Sequence, residues 1–196
     1  MRIYAETNFV LELALQQGEL SFCEELLGLA NRQEISLVLP AFSVFEPRYK
    51  IDGNGRIRRE LIQRVEQQAH ELGRTRGYEE KSREISATIQ VFAALQDQEE
   101  ANFSATLNQL VTVCRFIPMT ADIVSVAMQE SRLSFPDALV FASVIGDLHA
   151  EKSDESCFVT KNSKDFGQPD IVGELEALGC KTLHRFEYAL GFAQKR

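Results

Sequence analysis

Five oxygen-bearing side chains, Glu6, Glu46, Asp137, Asn162 and Asp165, stand where strand-like runs give way to helical ones. Glu6 follows the apolar run of YAETNFV, Glu46 lies in SVFEP, Asp137 in FPDALV, and Asn162 and Asp165 in TKNSKDF. Gathered at one place, such carboxylates would repel one another unless protonated or neutralised. A hard divalent cation that takes oxygen ligands, Mg²⁺ or Mn²⁺, is the natural neutraliser. Each position also has a plainer reading. Ser134 followed by Asp137 is a capping-box-like helix start, Glu6 can be a first-turn acid favoured by the helix dipole, and Asn162 and Asp165 can be turn residues.

These positions converge only if the elements around them are ordered correctly. Periodicity predicts strands at 2–5, 35–40, 113–118 and 157–160, with a last strand in CKTLH. Helices are expected from Asn8 to Gln17, closed by Gly18, then from a Ser21 cap, from about Ser43 and from the caps Thr120 and Ser134, with a short one in GELEALG. The cluster Asp52-Gly53-Asn54-Gly55 reads as a turn. Residues 56–110 read as about three helices inserted between the second and third strands. Strands alternating with helices imply an α/β domain with a mostly parallel sheet of four to five strands, covered on both faces. In such sheets ligands sit beyond the carboxyl ends of the strands, where the five residues fall.

The 196 residues suit one domain over 1–196 with the helical insertion at about 51–112, and the formal net charge is −8. Ten Lys and Arg residues against six Asp and Glu nevertheless make 48–83 a basic segment in an acidic body. That balance excludes nucleic-acid binding through a uniformly basic surface. Cys23, Cys114, Cys157 and Cys180 lack metal spacing and read as reduced core thiols. With no apolar run long enough to span a bilayer, no membrane association and a cytoplasmic location are expected. His70, His149 and His184 lack zinc spacing, no phosphate-binding glycine pattern is present, and the would-be calcium loop from Asp52 reaches Gln63 where a Glu is needed.

The array YAETNF, SVFEP, FPDALVFASV and FVTKNSKDF resembles the PIN domain family of metal-dependent ribonucleases, which includes toxins of toxin–antitoxin pairs. The match covers about 1–50 and 113–184. It implies a three-layer α/β/α fold, Mg²⁺ or Mn²⁺ as cofactor, and Glu6, Glu46, Asp137 and Asp165 as catalytic and metal-holding acids, with Asn162 as a further ligand. Glu6 departs from the family's usual aspartate. Thr7, Asn8 and Thr160 would support the site, and Arg48, Lys50, Arg56, Arg58 and Arg59 would contact RNA. An RNA substrate, an antitoxin or other protein partner, and a homodimer are the implied partners. A catalytically weak or inactive module that binds protein or RNA is the alternative.

Overall fold

A computed structural model describes residues 1–151 and 155–195. The elements in chain order are β1 (Arg2–Ala5), α1 (Thr7–Ala14), α2 (Leu20–Asn31), β2 (Ser36–Pro40), α3 (Phe42–Gly73), α4 (Glu79–Val113), β3 (Arg115–Ile117), α5 (Ala121–Gln129), α6 (Phe135–Ala150), β4 (Ser156–Val159), α7 (Ser163–Phe166), α8 (Pro169–Ala177), β5 (Cys180–Leu183) and α9 (Phe186–Ala193). The strands form one all-parallel sheet in the order β3-β2-β1-β4-β5.

Alternation along the strands divides the core into two layers. Ile3, Ala5, Leu37, Leu39, Cys157 and Val159 face α1, α2, α9 and the near parts of α3 and α4. Tyr4, Val38 and Phe158 face α5, α6, α7 and α8. The result is the expected three-layer α/β/α arrangement. The four cysteines are free thiols; three are buried and Cys114 is partly so. Among the described residues, no helix is long and apolar enough to cross a membrane.

Several expected boundaries move. The predicted turn at Asp52–Gly55 is helix, and the expected three helices between the second and third strands are two long ones, α3 and α4, running side by side. Local propensity is overridden by packing here: Pro47, Ile51 and Gly55 are buried on one face of α3. A Cβ at Gly55 would stand 2.8 Å from Gln96 Nε2 of α4, so this glycine serves close helix approach rather than a turn. Helix α1 stops at Ala14, before the expected Gln17, and Gln16 takes φ 50°. Glu19, not Ser21, precedes α2 and makes no side-chain cap, its carboxylate being drawn away to the Phe186 N–H at 2.7 Å and the Arg185 guanidinium. Helix α9 is an element the sequence pattern does not signal; it packs against α2, and its Phe186 meets Phe9 of α1 edge-on. The Thr120 and Ser134 caps form as expected, each hydroxyl accepting from the backbone three residues on.

Candidate functional site

The winding of the sheet reverses between β1 and β4, since the chain steps outward from β1 through β2 to β3 and then returns to the other side of β1. The carboxyl ends of these two strands therefore form the crevice where α/β folds bind ligands. Glu6 leaves β1 there, Thr160 follows β4, Glu46 sits in the second turn of α3 after β2, and Asp137 lies in the first turn of α6.

Glu6 is 4 % exposed and its carboxylate is filled with hydrogen bonds. Oε2 accepts from the Asn8 backbone N–H at 2.9 Å and Oε1 from Asn8 Nδ2 at 2.8 Å. The Thr160 hydroxyl and the Lys161 backbone N–H also stand near enough to favour its charged form. Burial pushes its carboxyl up to about 6, against the pull of these four groups. Glu6 is placed as the cap of α1, between the exits of β1 and β4.

The other acids are placed differently. The Thr7 hydroxyl donates to Glu46 Oε2, joining α1 to α3. Asp137 Oδ2 accepts from the Ser134 hydroxyl at 2.6 Å, and Oδ1 accepts from Asn162 Nδ2 at 3.3 Å. The backbone N–H of Asn162 in turn donates to Thr160 Oγ1 at 2.9 Å. Thr160 thus stands beside Glu6 and is joined through Asn162 to Asp137. Asp165, in α7, is partly exposed and has no hydrogen bond or ion pair among the described residues. Of the five predicted residues, Asn162 and Asp137 touch directly, Glu6 stands beside Thr160, and Glu46 is held from the neighbouring Thr7.

Among the described residues no three Asp, Glu, His or Cys side chains are gathered closely enough to hold a metal ion. The donor set at the rim is nevertheless all oxygen, the chemistry that suits Mg²⁺ or Mn²⁺. Glu46, Asp137 and Asp165 are the acids there with oxygen capacity to spare. Two of the expected RNA contacts are engaged elsewhere. Arg58 is clasped by both oxygens of Glu99 at 2.6 and 2.7 Å, and Arg48 pairs with Asp52 at 3.1 Å. Lys50, Arg56 and Arg59 are exposed and unpaired among the described residues.

Sequence reasoning missed the support beneath Lys161. Its ammonium donates to Glu12 at 2.6 Å, and Glu12, buried in α1, also accepts the Glu19 backbone N–H at 2.7 Å. The Glu12 hydrogen bond holds Lys161 above the ordinary lysine range. An acid set among Phe9, Val10, Leu13 and Ala14 was the available signal, because a charge on a buried helix face needs a partner.

The model of one protein family, described as a PIN domain, matches residues 3–166, from β1 to α7. No curated protein and no solved structure matches the chain.

Proposed function

The chain belongs to the PIN domain family, whose members are nucleases in general, and from that membership we propose that it is a Mg²⁺- or Mn²⁺-dependent endoribonuclease. The observation that carries this reading is the set formed by Glu6, Thr160, Asn162 and Asp137, beside the Thr7–Glu46 pair. It draws polar side chains from four separate segments to the one edge of the sheet suited to a ligand.

Glu46, Asp137 and Asp165 would hold the cation, which supplies charge neutralisation at the scissile phosphate and an acidified water. Asn162 fixes the Asp137 carboxylate, and Thr7 fixes that of Glu46. Asp165, without a partner of its own among the described residues, is free to orient water. Glu6 caps α1 between the β1 and β4 exits. Lys50, Arg56 and Arg59 would draw in the polyanion.

The Glu6 carboxylate, bonded by Asn8 at both oxygens, favours a second reading, an inactive PIN module that binds RNA or protein. Calorimetric titration with Mn²⁺ and a fluorogenic single-stranded RNA assay separate the two. The nuclease reading expects cation binding and chelator-sensitive internal cleavage; absence of cleavage with Mg²⁺ and with Mn²⁺ leaves the binding module. A toxin role, with a short antitoxin as partner, rests on family resemblance and is tested by finding a small adjoining reading frame whose product blocks cleavage. Size measurement in solution tests the homodimer.

A further inference from the structure

Glu12 and Lys161 form an ion pair that the reaction above does not use. Glu12 is 1 % exposed and lies in α1 among the core residues Phe9, Val10, Leu13 and Ala14. Lys161 follows Thr160 directly, two residues past Val159, on the side of the sheet that α1 covers. Its ammonium donates to Glu12 Oε1 at 2.6 Å, and Glu12 Oε2 accepts the Glu19 backbone N–H at 2.7 Å. The Glu19 carboxylate in turn accepts the Phe186 N–H at 2.7 Å, so the pair is braced from behind by the starts of α2 and α9.

The two partners belong to the two halves of the candidate site. Helix α1 carries Thr7, five residues before Glu12, whose hydroxyl donates to Glu46. Lys161 immediately precedes Asn162, whose side-chain amide meets Asp137 Oδ1 at 3.3 Å. The ion pair therefore ties the helix that steadies Glu46 to the bend that steadies Asp137. Stability alone does not account for it, because apolar side chains of similar volume often replace a buried ion pair without loss. Recruitment of Lys161 for phosphate does not either, since that role needs no carboxylate buried beneath it. What a satisfied buried polar network adds to packing is a unique and rigid arrangement. We infer that Lys161 and Glu12 are positioning residues, which fix the Asn162 bend against α1 and with it the separation of Asp137 from Glu46. The inference rests on the ribonuclease reading and adds to it the pair on which the arrangement of its acids depends.

Lys161→Met, Glu12→Gln and the double variant, assayed for Mn²⁺-dependent RNA cleavage and by calorimetric Mn²⁺ titration, test it. Each single variant should lower kcat and Mn²⁺ affinity about tenfold or more, the scale of a lost support behind metal-holding groups, with KM for RNA held within about twofold. Buried Glu12 touches no RNA, so its loss has to act through Lys161, and the double variant should lose no more than the weaker single one. The double variant also removes both charges together, which keeps the test open where Lys161→Met, left with an unpaired buried carboxylate, fails to fold. Lys161→Arg, which keeps the charge, should recover activity relative to Lys161→Met. In the metal-free chain, the Asn162 side-chain amide signal in ¹⁵N NMR should move in Lys161→Met and in Glu12→Gln. Native kcat and Mn²⁺ affinity in the folded double variant overturn the positioning role while leaving the ribonuclease reading intact. A raised KM with native kcat, in Lys161→Met but not in Glu12→Gln, makes Lys161 a phosphate contact and also overturns it. A native chain that neither binds Mn²⁺ nor cleaves RNA fails the ribonuclease reading itself, and the positioning role with it.

Discussion

The Glu6 carboxylate at the exit of β1 and the Thr160 hydroxyl at the exit of β4 stand close enough for the hydroxyl to favour the charged carboxylate, and between these two strands the sheet reverses its winding. Both residues are fully buried or nearly so. Removing the acceptor strands the backbone N–H and the side-chain amide of Asn8, and each buried unpaired donor costs roughly 1–3 kcal/mol. Glu6→Ala should therefore lower the unfolding free energy in denaturant by about 2–4 kcal/mol, well beyond the loss of an ordinary exposed cap.

Burial raises the Glu6 carboxyl from 4.5 to about 6. A raised acid binds its proton more tightly in the folded state. Its contribution is therefore greatest below the unfolded value and falls as pH rises through the folded one. In metal-free buffer the native chain should lose about 2 kcal/mol from this group between pH 4.5 and 6, at 1.36 kcal/mol per unit. Glu6→Gln cannot titrate, so its stability relative to the native chain should rise across that window. Denaturant unfolding of both at pH 4 and pH 7 reads the difference, and a pH-independent difference would refute it.

Asp137 differs from Glu6 in being partly exposed and in holding only side-chain partners plus its own cap. Asp137→Asn keeps the size and the Ser134 cap but removes the charge. Its thermal unfolding should change by less than ~1 kcal/mol, the scale of a helix-dipole contact. Cation-dependent RNA cleavage should disappear. Full activity in that variant would remove Asp137 from the site.

The strands and the rim were legible because both rest on short-range signals. Ile3, Val38 and Phe158 lie in runs bounded by polar residues, and FPDALV carries its own cap. What the sequence concealed was decided at long range. Asp52-Gly53-Asn54-Gly55 has turn composition, yet α4 covers Ile51 and Gly55 and keeps the segment helical. Glu6 stands at a ligand's place in the chain, and the neighbours that meet it there, Thr160 and Lys161, come from more than 150 residues away.

A clasp lies at the opposite end of the sheet. Asp147 of α6, 8 % exposed in its side chain, accepts from the Tyr4 hydroxyl at 2.7 Å and from both terminal nitrogens of Arg115, with Arg2 at 3.5 Å. Burial works against its charge, but Arg115 and Tyr4 hold its carboxyl below the ordinary 3.8. A depressed acid stabilises the fold above its unfolded value, and that stability is lost as pH falls through the lower folded one. Asp147→Ala should cost about 3 kcal/mol near neutral pH, as expected when one partner of a buried pair is deleted. Asp147→Asn should show a shallower loss of stability than the native chain below about pH 3.8, read by circular dichroism during acid titration.

Gly53 and Gly55 test whether the turn-like tetrapeptide is helical in solution. In a helix interior, Gly→Ala gains roughly 0.5–1 kcal/mol wherever the new methyl meets nothing. Gly53 meets that condition, and Gly53→Ala should raise the melting temperature by about 1–3 °C for a chain of this size. At Gly55 the methyl would press on Gln96, whose amide donates to Glu100 at 3.3 Å. That side chain is flexible and can move, but at the loss of its bond and of close α3–α4 contact. Gly55→Ala should therefore leave the melting temperature unchanged or lower it. If residues 52–55 formed the turn their composition suggests, neither substitution would stabilise, because helix propensity would no longer count in favour of alanine. A rise at 53 without a rise at 55 is the pattern that only a helix buried along its Gly55 face produces.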